Sequence, residues 1–78
     1  MYEVHIETWR MDAETADWLA GESWWLESQF YDARNSARQQ GQNVDSQAAV
    51  SLSNYTQTGT APDGGLLYDF VYAVDVTE

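Results

Sequence analysis

Ala61-Pro62-Asp63-Gly64-Gly65-Leu66-Leu67-Tyr68-Asp69-Phe70-Val71-Tyr72-Ala73-Val74-Asp75-Val76 is the stretch that decides the fold. Its first five residues form a turn. Pro62 presets φ at the first central position, and the glycines supply positive φ. Residues 66 to 76 then form the most apolar strand of the chain. Residues 47 to 60, rich in Ala, Val, Leu, Ser and Thr, read as the strand that precedes the turn. Centring the hairpin on Asp63 sets Thr56 against Phe70, Leu52 against Val74 and Val50 against Val76. That register gathers Val50, Leu52, Phe70, Val74 and Val76 on one face, so turn position and hydrophobic phase agree. The opposite face then carries Ala49, Ser51, Tyr55, Leu67, Val71 and Ala73.

Upstream, residues 2 to 10 alternate. Tyr2, Val4, Ile6 and Thr8 point one way, and Glu3, His5, Glu7 and Trp9 the other, which predicts a half-buried strand. Asp12 is the expected N-cap of a helix that runs to about Gln40, with Glu14 in its first turn. Ala16, Leu19, Ser23, Leu26, Phe30, Ala33 and Ala37 share one face at 100° per residue. Arg34 and Arg38 suit the last turns, and Gly41 suits the position just beyond. Because the apolar face keeps phase across Gly21, a continuous or merely kinked helix is expected. The alternative is that Gly21 ends a short first helix, Ser23 caps a second, and the tryptophans turn inward.

The expected architecture is a single α+β domain over residues 1–78. Its order is β-α-β-β, with a three-stranded sheet covered on one face by one long helix. A right-handed crossover makes the first two strands parallel and leaves the apolar third strand between them. Val4, Ile6, Leu26, Phe30, Leu52, Phe70 and Val74 are the expected core.

Charge narrows the function. Three Arg or Lys residues face thirteen acids, and no lysine is present, for a formal net charge of -10 over 78 residues. Such a field disfavours nucleic acid and anionic membranes, whose binding needs Lys and Arg, and favours a cationic protein partner. Aromatics at 14% argue against disorder. The chain has no cysteine, which removes disulfides and thiolate metal sites. With no basic n-region and no long apolar run, a cytoplasmic protein is expected. His5 is the single histidine. It reads as a surface side chain near Glu3 and Glu7 and lacks the companions of a transition-metal site. No phosphate-binding, dinucleotide or nucleophile-elbow motif occurs, and no acid–base pair stands out. No enzyme activity, cofactor or metal is therefore expected.

The candidate binding residues lie on the helix. Glu14, Trp18, Glu22, Trp25, Gln29 and Asp32 recur at intervals of three and four, opposite the apolar face, with Asp17 beside them. Exposed indoles anchor interfaces well. Asp12, Glu14, Asp17, Glu22, Glu27 and Asp32 carry no intervening base. This density imitates a phosphate backbone in sign. The alternatives are a solvated helix face and a module that self-associates through the outer sheet face or the stripe, giving a homodimer.

Small size, one domain, extreme acidity and absent catalytic motifs resemble the class of phage-encoded host-defence inhibitors, of which anti-CRISPR proteins are the best known. The resemblance is one of type over the whole chain and rests on no shared motif. It implies a basic nucleoprotein target such as a CRISPR effector in the host cytoplasm, with DNA access or cleavage blocked. It assigns no role to any single residue.

Overall fold

The computed structural model describes residues 1–77. Five elements follow in the order β1 (Tyr2–Arg10), α1 (Ala13–Leu19), α2 (Ser23–Gln39), β2 (Val50–Thr60) and β3 (Leu66–Val74). The sheet order is β1-β3-β2, and β3 is antiparallel to both neighbours, so the apolar strand is central as expected. The domain measures 42 × 23 × 15 Å. The thinnest dimension leaves room for two layers, one of helix and one of sheet.

The hairpin leaves its turn in the expected register, with Thr60 opposite Leu66 and Gly59 opposite Leu67. Gly64 takes φ 90°, the left-handed value that its place in the turn calls for. Two irregularities then intervene in β2, between Gln57 and Gly59 and between Leu52 and Asn54. Each inserts one extra residue on the β2 side. Val50 therefore faces Val74 and Leu52 faces Tyr72, two residues from the expected pairing. Two insertions preserve the alternation of faces, so Val50 and Leu52 still pack towards the core. Between the bulges the phase is reversed. Tyr55, expected on the outer face, lies opposite Phe70 and stacks on it, with ring centroids 5.3 Å apart.

A third bulge lies in β1, between His5 and Thr8. It corrects the expected alternation there. Trp9 packs inward opposite Tyr68, and Thr8 turns to the open face opposite Asp69. The inward turn has a cost. Trp9 Nε1 is buried and finds no acceptor among the described residues.

The helical layer also departs from expectation: two helices replace the single long one. Gly21 N–H bonds the Trp18 carbonyl and Glu22 N–H that of Leu19, which closes α1 tightly. Glu22 then adopts extended backbone, φ -94° and ψ 112°, and serves as the N-cap of α2 in place of Ser23. The break re-aims α2 so that Trp25, Gln29, Ala33 and Ala37 are buried, while Ser23 is exposed. At its far end α2 finishes as expected. Gly41, at φ 91°, bonds Arg38 O, and Gln42 N–H reaches Ala37 O, the paired closure of a glycine-capped helix.

Val4, Tyr68, Phe70, Tyr72 and Val74 from the sheet meet Ala16, Leu19, Trp25, Ala33 and Ala37 from the helices. Ile6, Leu26, Phe30 and Leu52 pack at the margin of this core and are partly buried. An aromatic chain runs through it. Trp9 meets Trp25 edge-on at 6.1 Å, and Trp25 meets Phe70 at 4.8 Å. Such edge contacts are the favoured geometry for aromatic pairs. Tyr72 donates its buried hydroxyl to Gln29 Oε1 at 3.3 Å. Burial, reinforced by the negative charge of Asp32, pushes the Tyr72 phenol well above its usual range.

Candidate functional site

The corner between α1 and α2 brings together two exposed tryptophans, Trp18 and Trp24. Its N-terminal anchor is Asp12, whose Oδ1 accepts the Thr15 N–H at 2.7 Å. Hydrogen bonding from Thr15 holds the Asp12 carboxyl below its usual range. Glu14, Asp17 and Trp18 follow on α1, all exposed. Asp17 has a structural task as well. It accepts the Tyr55 hydroxyl at 2.9 Å and so ties α1 to β2. That bond, then burial and the Asp17 charge, raises the Tyr55 phenol.

Of the seven residues expected on the binding stripe, Glu14, Asp17, Trp18 and Asp32 are exposed and Glu22 is half-buried. Trp25 and Gln29 correct the expectation. They are 8% and 5% exposed and belong to the core. Two other aromatic residues of α2 face outward instead. Trp24 and Tyr31 are 58% and 64% exposed. Neighbouring residues on a helix point about 100° apart. Trp24 and Trp25 therefore cannot both face the sheet, and local periodicity does not say which one does.

Trp18 and Trp24 meet across the helix break. Their ring centroids lie 6.0 Å apart and their planes are tilted by 57°. Trp24 Nε1 donates to Glu22 Oε2 at 3.0 Å, which fixes both the indole and the carboxylate. Glu14 precedes Trp18 by four residues and Glu27 follows Trp24 by three, spacings that make helix residues surface neighbours.

The three arginines do little to offset this charge. Arg34 Nε donates to the Ala48 carbonyl at 2.7 Å, and Arg38 Nε to the Val44 carbonyl at 3.1 Å. Both are used to hold the segment before β2 against α2. Arg10 pairs with Asp63 at the hairpin turn and holds that carboxyl below its usual range. Among the described residues Asp63 is the one carboxylate with an arginine partner. The acids around the tryptophan pair are uncompensated.

On the open sheet face, His5 Nε2 lies 3.1 Å from Asp69 Oδ1, and the Thr8 hydroxyl donates to the same oxygen at 2.6 Å. The β1 bulge sets Thr8 opposite Asp69, and His5, opposite Val71, reaches the same carboxylate diagonally. His5 is exposed, as expected. Among the described residues no group of three or more His, Cys, Asp or Glu side chains is placed to hold a metal ion. None of the described helices is long and apolar enough to cross a membrane.

Fold and site together define a small α+β domain with an acidic, tryptophan-bearing helical corner. Comparison with family models, curated proteins and solved structures finds no match for this chain.

Proposed function

We propose that this chain is a non-enzymatic protein-binding inhibitor. Its acidic helical corner docks on a basic protein surface that otherwise holds nucleic acid, as the resemblance to anti-CRISPR-like inhibitors implies. One observation carries the reading: two tryptophans more than half exposed, paired with each other and surrounded by carboxylates that no arginine neutralises. Exposed indoles have an unfavourable contact with water that a partner would relieve. The uncompensated charge speeds and orients the encounter with a basic groove. The working residues are Glu14, Trp18 and Glu22, with Trp24 in place of Trp25. Asp17 contributes charge while holding Tyr55.

The test is competition. Purified nucleic-acid-binding proteins, a CRISPR effector among them, are titrated with the chain in the presence of labelled DNA. A target should release DNA, and its affinity for the chain should fall steeply as salt rises. Trp18→Ala should raise the dissociation rate about tenfold or more if the indole is a hot spot of ~2 kcal/mol. Reversal of Glu14 and Glu27 to Lys should lower the association rate. If reversal of Asp69 and Asp75 abolishes binding while the helix variants bind normally, the sheet is the functional face. A salt-insensitive dimer without DNA competition would favour self-association.

A further inference from the structure

We infer that the Trp18–Trp24 pair is a seat for an arginine side chain of the partner. The inference deepens the docking reading above and rests on it for the partner's basic character. Three features of the corner select a guanidinium over an apolar group.

The first is the shape of the pair. Two indoles tilted by 57° with centroids 6.0 Å apart do not stack face to face, and each remains more than half exposed. Each ring therefore keeps π surface for a third planar group. Cations favour the faces of tryptophan above those of other aromatic residues.

The second is the carboxylate at its edge. Glu22 Oε2 is held by the Trp24 indole N–H at 3.0 Å. A carboxylate has lone pairs beyond the one this bond occupies. A guanidinium resting on an indole face can donate to what remains. An apolar side chain in the same place would cover Glu22 and leave it unsatisfied, which is unfavourable.

The third is the setting. Glu14 lies one turn from Trp18 and Glu27 one turn from Trp24, and the chain's own arginines are committed elsewhere. No internal cation competes for the seat among the described residues. Arginine suits it better than lysine. Its planar, weakly hydrated group stacks and hydrogen-bonds together, whereas an ammonium keeps its water.

The experiment uses the full chain labelled with nitrogen-15 and follows the indole N–H signals of its four tryptophans. Three short capped peptides are titrated, identical except for one central arginine, lysine or citrulline. Citrulline keeps the planar shape and loses the charge. A saturable shift of the Trp18 and Trp24 signals with the arginine peptide is expected. The lysine peptide should shift them less and the citrulline peptide hardly at all. Trp9 and Trp25 should not move. Trp24→Ala should weaken arginine-peptide binding by about 2- to 5-fold, the range for an exposed cation–π contact. Glu22→Gln keeps an acceptor for Trp24 and removes the charge, and it should weaken binding while leaving the Trp24 signal in place. Equal shifts with citrulline overturn the cationic seat. Shifts confined to backbone amides near the acids, with silent indoles, also overturn it but leave docking on a basic surface standing. An oligo-arginine peptide, titrated as a fourth probe of general basic binding, overturns both if it causes no shift anywhere.

Discussion

Trp25→Ala and Trp24→Ala differ by one position and should differ in consequence by several kcal/mol. Trp25 is 8% exposed and touches Trp9 at 6.1 Å and Phe70 at 4.8 Å, both edge-on. Its removal opens a cavity beneath α2 that the rigid sheet cannot close. Truncating a buried Phe or Trp costs about 3–5 kcal/mol. A chain of this length has a total stability of roughly 4–12 kcal/mol at 0.05–0.15 kcal/mol per residue, and small domains lie towards the lower end. The substitution therefore removes between a quarter and all of it. Trp24 is 58% exposed and loses one tilted ring contact and one exposed hydrogen bond, under about 1 kcal/mol. Urea unfolding followed by far-ultraviolet circular dichroism measures both. With a slope of about 1 kcal/mol per molar, Trp25→Ala should lower the midpoint by ~3 M or abolish the transition. Trp24→Ala should move it by less than ~1 M. If Trp24→Ala unfolds the chain while Trp25→Ala melts with the parent, the phase of α2 is wrong, and so is the site built on it.

Gly21→Ala should leave two helices. Gly21 is outside the left-handed region, and an added Cβ would meet the Trp18 carbonyl oxygen at an ordinary 3.8 Å. A gain of about 0.4–1 kcal/mol through the unfolded chain is expected, read as a small rise in Tm; increased helicity would show instead that the glycine alone makes the break. Gln29→Leu deprives the Tyr72 hydroxyl of its acceptor, and since that bond is long at 3.3 Å the loss should be near 1 kcal/mol, at the low end for an orphaned buried donor. Adding Tyr72→Phe should recover most of it, and a strictly additive double variant would mean that the pair is not coupled. Stability should decline at both ends of the pH scale. Asp12 and Asp63 are held low by Thr15 and Arg10, so their contribution is complete above the ordinary value of 3.8 and is lost as pH falls below it. Tyr55 and Tyr72 are held high, so theirs is complete below the ordinary value of 10.0 and declines as pH rises beyond it. Asp12→Asn keeps a capping oxygen without a titrating group; a Tm-against-pH curve with an unchanged acid limb in that variant would contradict the Asp12 part.

The central strand, its turn and the order of the sheet were legible in the sequence because they depend on local chemistry. Pro62 and Gly64 specify the turn, and the alternation Tyr68, Phe70, Tyr72, Val74 specifies which face of β3 is buried. The glycine cap of α2 and the acidity of the surface are of the same kind. The faces of Trp9 and Tyr55 were not legible. Each lies past a bulge, and a bulge is an offset between two strands that neither strand encodes alone. The same holds for the tryptophan site. Helical periodicity carried one phase through Gly21, and in that phase Trp25 and Gln29 face solvent. Only packing against the sheet settles the matter. Burying Trp25 between Trp9 and Phe70 and pairing Gln29 with Tyr72 both require α2 to restart at Glu22 in a new direction. That restart leaves Trp24 outside against Trp18, so the residues of the site are those the core did not take.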